Sequence, residues 1–189
     1  MKKGLFFGSF NPIHKGHIQI ATFFLDNAGL ENIWFVVSPK NPLKDKKSLL
    51  DVAHRIELVN LALEFNPKMI CSEIEMKLPI PSYTIDTLDF IKDKYPDQKF
   101  VIIMGTDNLE SIDKWKDYNR ILNEYQIYVY PRNGFDGGAF ISYPTIKLFH
   151  SEFLDVSATE LRKKIRQETA DQWLPEKVAS LIKEREFYM

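Results

Sequence analysis

Leu5-Phe6-Phe7-Gly8-Ser9-Phe10-Asn11-Pro12-Ile13-His14-Lys15-Gly16-His17 opens as a short apolar run, breaks at Gly8 and Pro12, and leads into apolar residues at helical spacing. A strand, a turn and a helix in quick succession make the first half of a β-α-β unit. The alternation recurs. Apolar runs at residues 5–8, 33–38, 69–74, 100–105, 127–130 and 146–150 read as strands. The stretches 16–30, 54–65, 83–95 and 109–124 carry helical periodicity, as in Ile56, Val59 and Leu63 or Ile85, Leu88 and Ile91.

Strands that are apolar throughout, instead of alternating, belong in a parallel sheet covered on both faces. The fold class is therefore α/β: a Rossmann-like, doubly wound parallel sheet in 3-2-1-4-5 order with helices on both sides. Ligands of such sheets sit beyond the carboxyl ends of the strands where the winding reverses, here between the first and fourth strands.

The chain has 189 residues, 25 Lys+Arg against 26 Asp+Glu, a formal charge of −1 and 44% hydrophobic residues. A chain this long buries roughly 70% of the surface that its unfolded form exposes, so residues 1–189 are expected to form a single domain, with a helical portion over 157–189. The balanced charge argues against a nucleic-acid partner or a polybasic membrane tether and confines any phosphate site to a local patch. Cys71 is the only cysteine, which excludes an intrachain disulfide and fits a reducing cytoplasmic setting; it reads as a small buried strand residue. Met1-Lys2-Lys3 runs straight into too short an apolar stretch for a signal sequence, and no window reaches the length of a membrane span.

Toward the carboxyl end, residues 133–144 contain Gly134, Gly137 and Gly138 without helical period and read as a loop. Ser157 followed by Glu160 is the arrangement of a capping box, in which each side chain meets the other's free backbone N–H, so a helix is expected just after Ser157. Pro175, followed by Val178, Leu181 and Ile182, marks the first turn of a final amphipathic helix.

Gly8 to His17 falls at the expected crevice. A helix start offers unpaired N–H groups and a positive dipole end, and glycine lets phosphate approach the backbone. His14 and His17, three apart, share a face if the helix includes both, with Gly16 leaving space between them for a ligand. Zinc is disfavoured, because two histidines with no nearby Cys or acidic partner fall short of a ligand set. Turn and capping chemistry accounts for Ser9, Asn11 and Pro12 but not for two histidines and a glycine at a crevice. The glycine pattern of dinucleotide-binding loops is absent, as is the Walker loop.

The stretch Gly8 to His17 resembles the His-x-Gly-His signature of the nucleotidyltransferase superfamily, and Val156-Ser157-Ala158-Thr159-Glu160-Leu161-Arg162 resembles its Ile-Ser-Ser-Thr-x-x-Arg signature. Pro81 to Leu88, Met104 to Asn108 and Lys114-Trp115-Lys116 look like elements of the nicotinate-nucleotide adenylyltransferases. The likeness runs from residue 5 to about residue 165. It implies transfer of the adenylyl group of ATP to nicotinate mononucleotide, giving deamido-NAD and pyrophosphate, with Mg²⁺ bridging the ATP phosphates and no protein metal ligand.

It also implies His14, His17 and Arg162 as catalytic residues. ATP would be held by Gly8, Ser9, Phe10, His14, Gly16, His17, Gly105, Asp107, Ser157, Thr159 and Arg162, with His17 on the transferred phosphate and Asp107 reaching ribose hydroxyls or capping a helix. The mononucleotide would be held by Lys44, Thr84, Ile85, Trp115 and Lys116, through backbone amides near Thr84, Ile85 and Lys116 and by stacking on Trp115, whose plainer alternative is a core aromatic of its helix. Tyr83 and Tyr118 read as packing residues. The chain departs from the family pattern at Leu43, where a histidine is usual, and at Ala158, where a serine is usual.

Two alternatives stay open at this stage: transfer of an adenylyl or cytidylyl group to another phosphate acceptor, such as nicotinamide mononucleotide or phosphopantetheine, and a nucleotide-binding module without turnover. The sequence leaves the oligomeric state open.

Overall fold

In a strand, successive side chains face opposite ways, so an all-apolar strand feeds two cores at once. In the computed structural model, which describes residues 1–40, 49–151, 153–154 and 156–189, β1 (Lys2–Gly8) does this at the centre of a six-stranded sheet. Phe6 packs into one core and Leu5 into the other. The remaining strands are β2 (Leu30–Val37), β3 (Met69–Ser72), β4 (Lys99–Gly105), β5 (Gln126–Tyr130) and β6 (Ile146–Leu148). They run in the order β3-β2-β1-β4-β5-β6, all pairs parallel. The expected order holds and gains β6 at its edge.

On the Phe6 side lie α1 (Lys15–Asn27), α2 (Val52–Leu63), α6 (Ala158–Arg166) and α7 (Glu176–Glu184), contributing Phe24, Leu58, Leu161 and Val178 among others. On the Leu5 side lie α3 (Thr84–Lys94), α4 (Thr106–Glu110) and α5 (Tyr118–Glu124), contributing Leu88, Leu109 and Ile121. The strand order reverses between β1 and β4, whose carboxyl ends are Gly8 and Gly105.

Several boundaries differ from the sequence expectation. The helix expected over 109–124 is three pieces: α4, a 3₁₀ turn Ile112–Lys114, and α5. Trp115 leaves the helical region at ψ 144°, and Asp117 sits left-handed at φ +49°. Apolar spacing carried across the break because Leu109, Ile112 and Ile121 all reach one core. The third strand stops at Ser72, and Ile74 opens a 3₁₀ turn, Ile74–Lys77. α1 closes at Asn27 because Gly29, at φ +63°, turns the chain into β2. The 133–144 loop contains a 3₁₀ turn, Gly138–Phe140. Pro175 stands just before α7 as its N-cap, not inside its first turn.

Candidate active site

Two cavities, of about 530 and 450 Å³, open at the strand reversal and share Gly8, Ser9, Asp107, Asn108 and Tyr130 along their common wall. Their contrast follows from the elements that supply them. The smaller receives the loop after β1 and the start of α6; the larger receives the start of α3 and the α4–α5 break.

The smaller cavity is cationic. Lys40, Arg132 and Arg162 line it with His14 and His17, and among its described lining residues Asp107 is the one carboxylate. His14 is the N-cap of α1, one residue outside the helix, so the two histidines do not share a helical face. They meet as stacked rings instead, with centroids 3.7 Å apart. His17 Nδ1 accepts from the His14 backbone N–H at 3.3 Å, which puts the proton of a neutral His17 on Nε2. His14 is 4% exposed, and its Nδ1 has no hydrogen-bond partner in the protein. Burial, helped by the neighbouring Arg132 charge, pushes the His14 pKa down to about 3, so His14 is a neutral imidazole.

The glycines serve packing as much as ligand approach. A Cβ on Gly16 would meet His14 Nδ1 at 3.0 Å and the Leu154 carbonyl oxygen at 3.3 Å, so the space beside Gly16 belongs first to the His14 ring. A Cβ on Gly8 would come within 2.8 Å of the Phe10 ring, which folds back over it at φ +43°. At Gly105 a Cβ would run into the Asp107 carboxylate and lie 2.8 Å from Arg132 Cγ.

Arg162, 151 residues downstream, donates to the Asn11 carbonyl at 2.9 Å and to Thr159 Oγ1 at 3.2 Å, closing the start of α6 onto the histidine loop. Ser157 caps α6 by accepting from the Glu160 N–H at 3.2 Å. The box is altered: the Glu160 carboxylate takes the Ser157 hydroxyl at 3.1 Å, not the backbone N–H.

The larger cavity is mixed in character. Trp115 and Tyr83 wall it while also packing against the core, and Thr84 opens α3 there. Ile85 is 1% exposed and belongs to the core, so only its backbone can face a ligand. Lys116 Nζ is held by Asp86 at 2.7 and 2.9 Å and lies 5.2 Å from the centre of the Tyr83 ring, which leaves it charge-balanced.

Arg55, fully buried, braces the loops that line the two cavities. Its guanidinium donates to the carbonyls of Ser9, Ser38, Pro39 and Leu50 at 2.6–3.0 Å, joining the loops after β1 and β2 to the start of α2.

A cytidylyltransferase-like family model matches residues 5–164. The probable nicotinate-nucleotide adenylyltransferase of Flavobacterium psychrophilum is 47% identical over 100% of this chain and 99% of its own length. That of Cytophaga hutchinsonii is 44% identical over 100% and 98%. The nicotinate-nucleotide adenylyltransferase of Bacillus subtilis is 35% identical over 100% and 99%. The chain belongs to the nicotinate-nucleotide adenylyltransferase family. The fold agrees: the solved structure of Plasmodium falciparum nicotinic acid mononucleotide adenylyltransferase complexed with NaAD superposes with a TM-score of 0.86 at 19% identity, over 99% of this chain and 97% of that one.

Within this family member, the structure brings His14, Gly16, His17, Ser157, Thr159 and Arg162 to the cationic cavity, and Thr84, Trp115 and Lys116 to the mixed one. Phe10 lines the cationic cavity, Gly8, Ser9 and Asp107 line both, and Gly105 lies behind Asp107. Lys44 and Leu43 fall outside the described residues. Lys40, Asn108, Tyr130 and Arg132 line the site without having been singled out from sequence. Tyr130 and Arg132 were within reach of the strand-end rule, since they sit at the carboxyl end of β5. The Tyr130 phenol is pushed up by burial and stays protonated. Glu75 is not legible in the sequence, because it falls one residue past the strand expected over 69–74 and no turn residue marks the 3₁₀ turn that carries it. Cys71 is half-buried on β3, and burial pushes its thiol up to about 12, away from reactivity. No described helix is long and apolar enough to cross a membrane.

Proposed function

We propose that the chain acts as a single domain that joins ATP to nicotinate mononucleotide. A phosphate oxygen of the mononucleotide bonds to the α-phosphorus of ATP, the bond from that phosphorus to the β-bridging oxygen breaks, and deamido-NAD and pyrophosphate leave. Family membership supports this reaction, and the observation that carries it here is the shared wall of a cationic cavity and an aromatic one.

The nucleophile needs no base, since a phosphate monoester with a second pKa of about 6 is largely a dianion at neutral pH. What remains for the protein is to hold two repelling anions in line and to meet charge as it moves onto pyrophosphate. On this reading the ATP phosphates occupy the cationic cavity, with the His17 Nε2 proton toward the transferred phosphate and His14 beside it. Arg162, with the start of α6 at Ser157 and Thr159, grips the outer phosphates. Asp107 takes ribose hydroxyls at the shared wall. The pyridine ring stacks on Trp115, and its carboxylate meets the backbone N–H groups at Thr84, Ile85 and Lys116.

Mg²⁺ held by ATP itself, with no protein ligand, would supply further neutralisation of the phosphate charge. The cationic lining suits that arrangement, since its described residues offer one carboxylate and no cage of oxygen ligands. Pyrophosphate release should require ATP, Mg²⁺ and nicotinate mononucleotide, with nicotinamide mononucleotide a poorer acceptor. Absence of release with either pyridine mononucleotide overturns the reading.

A further inference from the structure

Glu75 is a carboxylate with 2% exposure that lines the mixed cavity beside Tyr83 and Thr84. The reaction above has no use for its charge, and an ionised group beside an incoming pyridine carboxylate would repel it. Its surroundings account for its presence. The Ser82 hydroxyl donates to one carboxylate oxygen at 2.6 Å, and the Thr87 hydroxyl donates to the other at 3.0 Å. The Ser38 hydroxyl, just beyond the end of β2, bonds to it as well.

Ser82 and Thr87 bracket the first turn of α3, where the N–H groups of Thr84, Ile85 and Asp86 have no acceptor within the helix. Thr87 Oγ1 also lies 3.2 Å from the Tyr83 carbonyl oxygen, and the Thr87 N–H donates to that same oxygen at 3.1 Å. One buried carboxylate thus fastens both ends of the turn that faces the cavity. Burial pushes its pKa up, while the three hydroxyl bonds favour the ionised form and disperse its charge away from the cavity.

We infer that Glu75 is a positioning residue for acceptor specificity: by gathering the Ser38, Ser82 and Thr87 hydroxyls it fixes the first turn of α3 so that its backbone N–H groups meet the carboxylate of the pyridine mononucleotide. The inference rests on the reaction proposed above. Its competitor is a purely structural role, in which loss of Glu75 weakens the fold and leaves substrate discrimination untouched.

Steady-state kinetics with both substrates separate the two. Glu75→Ala should raise KM for nicotinate mononucleotide about tenfold, the scale of one good hydrogen bond to a charged group, with kcat and KM for ATP within about twofold of wild type. It should also narrow the preference for nicotinate over nicotinamide mononucleotide. Glu75→Gln keeps one carbonyl acceptor and should recover most of the affinity. Ser82→Ala alone should give a partial loss and should add little to Glu75→Ala, because both remove the same contact. Titration of nicotinate mononucleotide without ATP, followed by tryptophan fluorescence, should show the same ranking.

A lowered Tm with unchanged KM for the mononucleotide overturns the inference, and so does an equal rise in both KM values. If Glu75→Ala does not fold, Glu75→Gln and Ser82→Ala decide by the same criteria. A wild-type chain without turnover sinks the proposed reaction before any variant is tested; an active wild type with an indifferent Glu75→Ala sinks only the role of Glu75.

Discussion

The two histidines divide the electrostatic work unequally. His14 is buried, neutral and without a protein partner at Nδ1, whereas the tautomer of a neutral His17 is set by the bond that its own Nδ1 accepts. A histidine whose pKa falls from 6.5 unfolded to about 3 folded favours the folded state when neutral. That contribution is complete above about pH 6.5 and is lost as the pH falls toward 3, because the unfolded chain then binds the extra proton. Urea unfolding between pH 7 and 4 should therefore show stability falling on the acid side by roughly 3 kcal/mol, and His14→Phe should flatten that slope. An unchanged slope counts against the buried neutral state. For His17→Ala, kcat should drop about 100-fold or more while the dissociation constant of the mononucleotide moves little, since a contact made to developing charge acts mainly in the transition state. Parallel losses in kcat and binding would place His17 in ground-state binding instead.

Elements carry the site to its position, and their ends are where sequence and structure part company. The first helix, the α6 cap and the central strands stand close to where hydrophobic spacing and capping residues place them. The break between α4 and α5 has no Gly or Pro to announce it, and it is what releases Trp115 and Lys116 toward the cavity. Asp117 sits left-handed where the chain re-enters a helix, a conformation that Asp adopts more readily than most side chains. The α6 cap is more readable: Ser157→Ala should lower stability by about 1 kcal/mol in chemical denaturation, the usual worth of such a cap. A loss within error would mean that the Arg162 contacts to Asn11 and Thr159 hold this end without it.

At the scale of the whole molecule, the carboxyl end of the sheet gathers groups from nearly the full length of the chain, and Arg55 holds much of that gathering together. In sequence it is an ordinary helical arginine between His54 and Ile56. In the fold it satisfies four carbonyls from three segments. Arg55→Lys should cost roughly 3 kcal/mol by urea denaturation, because an ammonium with three donors cannot span a planar fork's partners and leaves carbonyls unpaired. A cost below about 1 kcal/mol would show the loops to be held by other contacts.

The amino-acid order was enough for the α/β class, the strand sequence through β5 and the crevice between β1 and β4, and its two compact motifs, through their resemblance to family signatures, named His14, His17 and Arg162. Each of these depends on period, on turn residues or on a compact motif, which are local properties of a chain. Folding alone made His14 neutral, tied Arg162 to Asn11, bound Arg55 to the loop carbonyls after β1 and β2 and turned Glu75 toward Ser82 and Thr87. Those outcomes arise from burial and from neighbours between 7 and 151 residues away, and desolvation has no counterpart in the order of residues along a chain.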